Sequence, residues 1–344
     1  MSKFKKASDI KVGVIGYGGA FNMGRQHLTF MKQAGMTPVA VAEIDEARLK
    51  VAESDFPGIR TFNSVAKMLK DSDVNLVVII TPHNTHAKLA LQCLRSGRHV
   101  ICEKPLAITT DECDAMISEA KKQKLVLSTY HNRHWDGCIL EALNHLHVKQ
   151  AIGDIYRIEA HMGGYSVPGA WWRSSKTISG GILYDWGVHL LEYSLQILQS
   201  DIMEVTGFSH NGFWASKTPW KNDTNEDEAT AIVRFKNGAW INLTMSSMAS
   251  NPKKGWLEIT GTKGTYIFDG STYELMLMKG DKKIATTGKN PGHEYPKYYQ
   301  NIADHLSKGT ALIITPEWSR RPIHILDLAC RSAKQGKTLP AKYK

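Results

Sequence analysis

Residues 11–24 read KVGVIGYGGAFNMG. The run Lys11–Ile15 is rich in valine and isoleucine, the content of a buried strand. It leads directly into Gly16, Tyr17, Gly18 and Gly19, followed by Ala20, Phe21 and Asn22. A strand-to-helix turn without side chains lets backbone N–H groups approach a pyrophosphate, and the helix N-terminus adds partial positive charge. Gly16 and Gly18 take the first two places of the dinucleotide-binding fingerprint. The third place is Phe21, a departure that implies about three extra loop residues and leaves Gly24 to do the third glycine's packing. A helix is expected over Arg25–Gln33. The next strand, PVAVA at 38–42, ends in Glu43. An acid at that strand end binds adenosine ribose hydroxyls and repels a 2′-phosphate, so NAD is expected rather than NADP. The plainer reading of Glu43 is a cap on the following helix.

The same rhythm continues outward. Apolar runs LVVII (76–80), HVIC (99–102) and LVLST (125–129) alternate with amphipathic segments such as HAKLALQCLRSG at 86–97, where Gly97 stands at a helix C-terminus. TTDECDAMISEAKKQ opens with a threonine cap and has Glu112 in its first turn. Strand-helix alternation predicts an α/β, doubly wound parallel sheet, a Rossmann domain over residues 1–130. From about Ile155 to Thr287 the pattern changes. Asn237-Gly238 inside RFKNGAWINLTM is a strong hairpin signal, and EITGTKGTYIFDG reads as another hairpin turning at Thr262-Lys263-Gly264. A second domain is therefore expected over 131–344, α+β with a mostly antiparallel open sheet. One helix is expected near 181–199 and two closing helices near 294–307 and 316–335; these last can pack back on the first domain.

Composition narrows the function classes. The chain has 344 residues and a net charge of +10. Its lysines are dispersed, and no helix-turn-helix, zinc-finger or ribonucleoprotein motif appears, so nucleic acid is not an expected partner. No apolar run nears the roughly 20 residues needed to cross a bilayer, and the N-terminus lacks an apolar signal core, so a cytoplasmic location is expected. Cysteines at 93, 102, 113, 138 and 330 form no CxxC pair and are odd in number, which disfavours a disulfide framework or a thiolate zinc site. His83 and His86 are three apart but have no completing ligand nearby, and no metal is expected.

Two motifs stand out. Residues 101–108, ICEKPLAI, put Glu103, Lys104 and Pro105 at a strand end, and GGILYDWGVH fills 180–189. Together with GVIGYGG, VAEIDEARL and TPHNTHAKLALQCLRSGRHVICEKPLAIT, they make the whole chain resemble the glucose–fructose oxidoreductase / inositol dehydrogenase / rhizopine-catabolism (Gfo/Idh/MocA) family. That resemblance implies a nicotinamide cofactor, a sugar or polyol substrate, and the nicotinamide ring near Lys104. Pro105 restricts Lys104 to an extended conformation, and Glu103 is expected to face the cofactor. Thr81, Pro82, His83, Asn84 and His86 follow the fourth strand and are expected to cover the cofactor, with Arg48, Glu103, Lys104, Arg133, Trp172 and Arg173 as further contacts. Asp185 and His189, four apart on the expected helix, would have Cβ atoms about 5–6 Å apart. By the family pattern they face Lys104 across the cleft.

The chemistry expected of these groups is proton and hydride transfer. His189 is read as general base in oxidation and general acid in reduction. Lys104 is read as a donor that stabilises negative charge on the substrate oxygen, and Asp185 as the carboxylate that binds a substrate hydroxyl and orients the imidazole. His131, Arg133, Tyr165, Trp171 and Tyr299 are candidate substrate contacts, with His161 and Trp186 as further aromatic lining. His131–Asp136 resembles the family's Asn-Arg-Arg segment with His134 in place of the second arginine, and Ala170–Arg173 resembles its Trp-Arg loop. The leading reading is an NAD-dependent dehydrogenase of a sugar, glycoside or cyclic polyol. A glycosidase or lyase that recycles NAD, and an inactive NAD-binding regulator, are the alternatives. The open sheet, with alternating faces along Ala239–Met245, needs one side covered, and the resemblance implies that another subunit covers it, in a homodimer or homotetramer.

Overall fold

The computed structural model describes residues 3–343. These form two compact units. Among them, one comprises residues 3–107, 111–131 and 296–320; the other comprises 108–110, 132–295 and 321–343.

The first unit holds a six-stranded parallel sheet: β1 (Lys11–Ile15), β2 (Thr37–Ala42), β3 (Arg60–Phe62), β4 (Leu76–Ile79), β5 (His99–Cys102) and β6 (Leu127–Thr129). Their order is β3-β2-β1-β4-β5-β6, that of a dinucleotide-binding fold. The connecting helices are α1 (Met23–Gln33), α2 (Glu46–Asp55), α3 (Val65–Asp71), α4 (His86–Arg95) and α5 (Thr110–Gln123). β4 and β5 are buried throughout, as strands covered on both faces must be. β3 is a short, half-exposed edge strand, which is why it has no clear apolar run. Gly97 adopts φ +84°, the left-handed stop expected after α4.

In the second unit β7 (Ile155–Gly163), β8 (Ile202–His210), β9 (Glu228–Phe235), β10 (Trp240–Ser246), β11 (Leu257–Gly261), β12 (Gly264–Phe268), β13 (Thr272–Lys279), β14 (Lys282–Lys289) and β15 (Leu339–Pro340) form one sheet. Its order is β14-β13-β12-β11-β7-β10-β9-β8-β15. Only the β7–β10 pair is parallel among these neighbours. Asn237-Gly238 turns β9 into β10, with Gly238 at φ +86° and Trp240 opposite Arg234. The remaining helices are α6 (Gly137–Leu143), α7 (Lys176–Ser179), α8 (Gly187–Ile197), α9 (Pro296–Lys308) and α10 (Pro316–Gln335). α9 belongs to the first unit, against α1.

The pleat sorts the sheet's two faces. Ile158, Ala160, Ala231, Val233, Ile241 and Leu243 are buried under α8, where a Cβ added to Gly187 would lie 3.2 Å from Leu243. Phe208, Ile232 and Trp240 point to the other face and are 59%, 38% and 37% exposed.

The helix expected over 181–199 is shorter and begins later. Ile182–Tyr184 is a 3₁₀ turn, Asp185 and Trp186 form a turn, and α8 starts at Gly187. The cause is local. Gly180 and Gly181 adopt φ +95° and +125°, and a Cβ on Gly181 would sit 2.6 Å from the Glu226 carboxylate. Glu226 accepts the Ile182 amide at 3.0 Å and pairs with Lys176 at 2.7 Å. The first turn is thereby held tight, and Asp185 does not share an α-helical face with His189.

Candidate functional site

The glycine turn is built by close approach. Gly16 has φ +97°, and a Cβ there would lie 2.4 Å from the Ile80 carbonyl oxygen. Gly24, on the first turn of α1, leaves room for the Tyr17 ring, which a Cβ would meet at 2.5 Å. Gly24 therefore does the packing that Phe21 cannot. Asn22 precedes α1 in a left-handed conformation, φ 50°, and Phe21 is 58% exposed. Nothing lies within 4 Å of a Cβ on Gly18, so the turn is open on that side.

Glu43 closes the turn. Its carboxylate accepts the Tyr17 amide at 2.6 Å, the Ile44 amide at 2.6 Å and the Asp45 amide at 3.1 Å. The cap of α2 is Asp45, which accepts from the Ala47 amide at 2.9 Å, so the capping reading of Glu43 is set aside. Arg48 on α2 donates through Nε to the Tyr17 carbonyl at 2.8 Å, and its guanidinium lies beside Gly19. Tyr17, absent from the sequence-derived candidates, is the strut: it is 1% exposed and donates its hydroxyl to Asp55 at 2.9 Å.

The loops after β4 and β5 are tied to each other. Thr81 bonds Thr85 at 2.6 Å, and Asn84 is exposed. His86 is corrected from a cofactor contact to a brace. It is fully buried, with Nδ1 2.8 Å from the Pro105 carbonyl oxygen and Nε2 2.8 Å from that of Thr81. His83 is also buried, its ring centre 5.7 Å from that of His86. The Lys104–Pro105 bond is cis. Glu103, expected to face the cofactor, is instead turned inward: one oxygen is 3.0 Å from His27 Nε2 and the other accepts the Lys104 amide at 2.9 Å. Burial pushes its carboxyl up, but the His27 hydrogen bond, the Lys104 charge and the Lys104 amide outweigh this and hold it below the usual carboxylate range. Tyr299 is corrected from a substrate contact to a core residue, fully buried with its hydroxyl 2.5 Å from His27 Nδ1. His131 is 1% exposed at the end of β6.

In the second unit the candidates fall into two linked groups. Arg173 bonds Asp185 at 2.5 Å, and its guanidinium lies 4.9 Å from the Trp172 ring and 5.2 Å from that of Trp171. This joins the Trp-Arg loop to the acid in GGILYDWGVH. Arg133 bonds Asp136 at 2.9 Å and lies 4.6 Å over the Trp186 ring, whose edge packs on His189 at 5.6 Å. Asp136 is fully buried and also accepts the Tyr193 hydroxyl, with His293 Nδ1, which accepts the Gly137 amide, lying 3.3 Å away. It was legible only as the i+3 partner of Arg133. His134 pairs at 2.6 Å with Glu192, a fully buried acid on α8. Tyr165 is 57% exposed and packs on Trp214. His161 does not join His189: it is paired with Thr244 on the sheet face away from α8.

Residues 10–131 match the family described as "Oxidoreductase family, NAD-binding Rossmann fold", and residues 140–267 match the "GFO/IDH/MocA C-terminal domain". The chain belongs to the Gfo/Idh/MocA oxidoreductase family. Within this family it is 23% identical over 360 residues to the scyllo-inositol 2-dehydrogenase (NADP(+)) IolW of Bacillus subtilis, with 97% of each chain covered. It is 26% identical over 278 residues to the myo-inositol 2-dehydrogenase of Thermotoga maritima, covering 79% of this chain and 80% of that one. Among solved structures, an NAD-binding protein from Listeria innocua superposes with a TM-score of 0.81 at 26% identity over 96% of both chains. Among the described residues no helix is long and apolar enough to cross a membrane.

Proposed function

We propose that this protein is an NAD-dependent dehydrogenase that passes a hydride between nicotinamide and a secondary hydroxyl of a sugar, a glycoside or a cyclic polyol. The observation that carries the reading is the Glu103-Lys104-Pro105 turn at the end of β5, braced at Glu103 by His27 and at Pro105 by His86. The inositol dehydrogenases among its relatives support the substrate class.

The residues present fit a dinucleotide. The open space at Gly18, on a turn that Gly16 lets pack against the Ile80 carbonyl, leaves room for a diphosphate, with Gly19, Ala20, Phe21, Asn22 and Arg48 around it. Glu43 is an acceptor for ribose hydroxyls and repels a 2′-phosphate, which favours NAD. Thr81, Pro82 and Asn84 line the strand end beyond β4. When bound, the nicotinamide supplies or takes up hydride. Lys104 donates a hydrogen bond to the substrate oxygen on which negative charge develops. His189 takes the hydroxyl proton in oxidation and returns it in reduction. Asp185, oriented by Arg173, accepts from a substrate hydroxyl, and Arg133 holds the Trp186 ring against His189. Phe208, Ile232 and Trp240 on the open sheet face are assigned to a subunit contact in a homodimer or homotetramer, which light scattering tests.

The test is a panel of inositols, hexoses and glycosides incubated with the protein and NAD, reading both NADH and keto product. Stoichiometric accumulation of the two supports the reading. Bond cleavage of a glycoside without net NADH would replace it with redox-neutral elimination.

A further inference from the structure

Three residues from distant parts of the chain meet beneath Lys104: Glu103 after β5, His27 on α1 and Tyr299 on α9. Glu103 Oε1 is 3.0 Å from His27 Nε2, and His27 Nδ1 is 2.5 Å from Tyr299 Oη. Glu103 Oε2 accepts the Lys104 amide at 2.9 Å. His27 and Tyr299 are both fully buried. The Tyr130 ring packs edge-on to His27 at 4.3 Å and stacks on Tyr299 at 5.5 Å, enclosing the chain of bonds in aromatic surface.

The chemistry of the three groups sets the direction of each bond. Glu103 is held as a carboxylate by its partners, and a carboxylate only accepts, so His27 Nε2 carries the N–H. Burial pushes the Tyr299 hydroxyl well above its ordinary range, so it keeps its proton. The single arrangement with one ring N–H that satisfies every atom has Tyr299 donating to His27 Nδ1 and His27 Nε2–H donating to Glu103. A buried polar network is stabilising only when complete, and it then specifies one geometry. Leucine and phenylalanine would fill the same space without these directional bonds.

We propose that Tyr299 and His27 are positioning residues for Lys104: by fixing one oxygen of Glu103 they leave the other to clamp the Lys104 amide, so the reactive turn is set before cofactor binds. The inference rests on the proposed role of Lys104, which acts at the substrate oxygen; Tyr299, His27 and Glu103 act through it. Loss of the relay lowers kcat while leaving KM for substrate nearly unchanged, because the Lys104 contact matters most where charge develops.

The experiment has two readouts on the intact protein. The first is ¹⁵N-histidine NMR of the protein without cofactor, with the His27 ring assigned by comparison with His27→Gln. It is expected to show Nε2 protonated and Nδ1 unprotonated, with the Nδ1 resonance shifting in Tyr299→Phe. An Nδ1-protonated ring would overturn the relay. The second is steady-state kinetics. Tyr299→Phe and His27→Leu are expected to lose about 10- to 100-fold in kcat, and His27→Gln, whose amide can donate to Glu103 and accept from Tyr299, is expected to recover most of it. Wild-type kcat in Tyr299→Phe, or equal losses in His27→Gln and His27→Leu, would overturn the positioning role. If His27→Leu does not fold, Tyr299→Phe and the NMR signal still decide. Full turnover in Lys104→Ala would sink the functional reading instead and leave the tautomer result standing.

Discussion

The Glu43 carboxylate holds the Tyr17 amide at 2.6 Å, joining the end of β2 to the glycine turn after β1. In the proposed function this acid stands where the adenosine ribose of a dinucleotide is recognised. Glu43→Ser removes both the acceptor for the ribose and the repulsion of a 2′-phosphate. Hydrogen bonds to a charged group contribute about 1.5–3 kcal/mol, so Kd for NAD should rise about tenfold or more and discrimination against NADP should shrink. Isothermal titration with both coenzymes measures this; an unchanged NAD to NADP ratio would contradict the assignment.

Gly16 and Gly18 make a matched pair for stability. Gly16→Ala places a Cβ against the Ile80 carbonyl at a backbone conformation that favours glycine. Overpacking and a disfavoured φ each cost about 1–3 kcal/mol, and Tm should drop by several degrees. Gly18→Ala meets open space and should melt near the wild-type temperature. Equal melting of the two variants would show that the turn relaxes freely.

Acid sensitivity should trace in part to His99. Burial, reinforced by the charges of Lys3 and His305, pushes its imidazole down from 6.5 to about 3. Its Nδ1 accepts the Val126 amide at 2.9 Å, linking β5 to the strand that follows. Above 6.5 neither the folded nor the unfolded form binds the proton, so nothing is lost. Below it the unfolded chain takes up a proton that the folded form refuses, and stability falls as the pH drops toward 3. His99→Asn keeps an acceptor but cannot titrate, so the acid slope in urea unfolding should flatten. An identical slope in both proteins would locate the sensitivity elsewhere.

Asp136 is a fully buried charge with Arg133, Tyr193 and His293 around it. Breaking such a cluster from one side leaves charge uncompensated. Asp136→Ala should destabilise the protein by about 3–5 kcal/mol, read by urea unfolding; a loss under about 1 kcal/mol, the scale of an exposed pair, would mean that Arg133 finds another partner.

The fold was legible because its signals are local. The strand–glycine–helix run at 11–24, the Asn237-Gly238 hairpin and the Gly97 stop each sit within a few residues of their effect. The site was legible as residue types and less so as contacts. Tyr299 and His86 have functional chemistry in their side chains, yet burial turns the first toward His27 and the second toward two carbonyls. Tyr299 is 272 residues from His27 and His86 is 19 from Pro105. Asp185 misled for a local reason: the Gly180-Gly181 pair admits the Glu226 carboxylate, which tightens the turn and delays α8.

The most direct measurement of the central claim is single-turnover hydride transfer with saturating NAD and a polyol that the panel identifies, comparing wild type with Lys104→Ala and His189→Ala. Each variant should transfer hydride about 10²–10⁴-fold more slowly while still binding NAD. A wild-type rate in either variant, with NAD bound, would contradict the account.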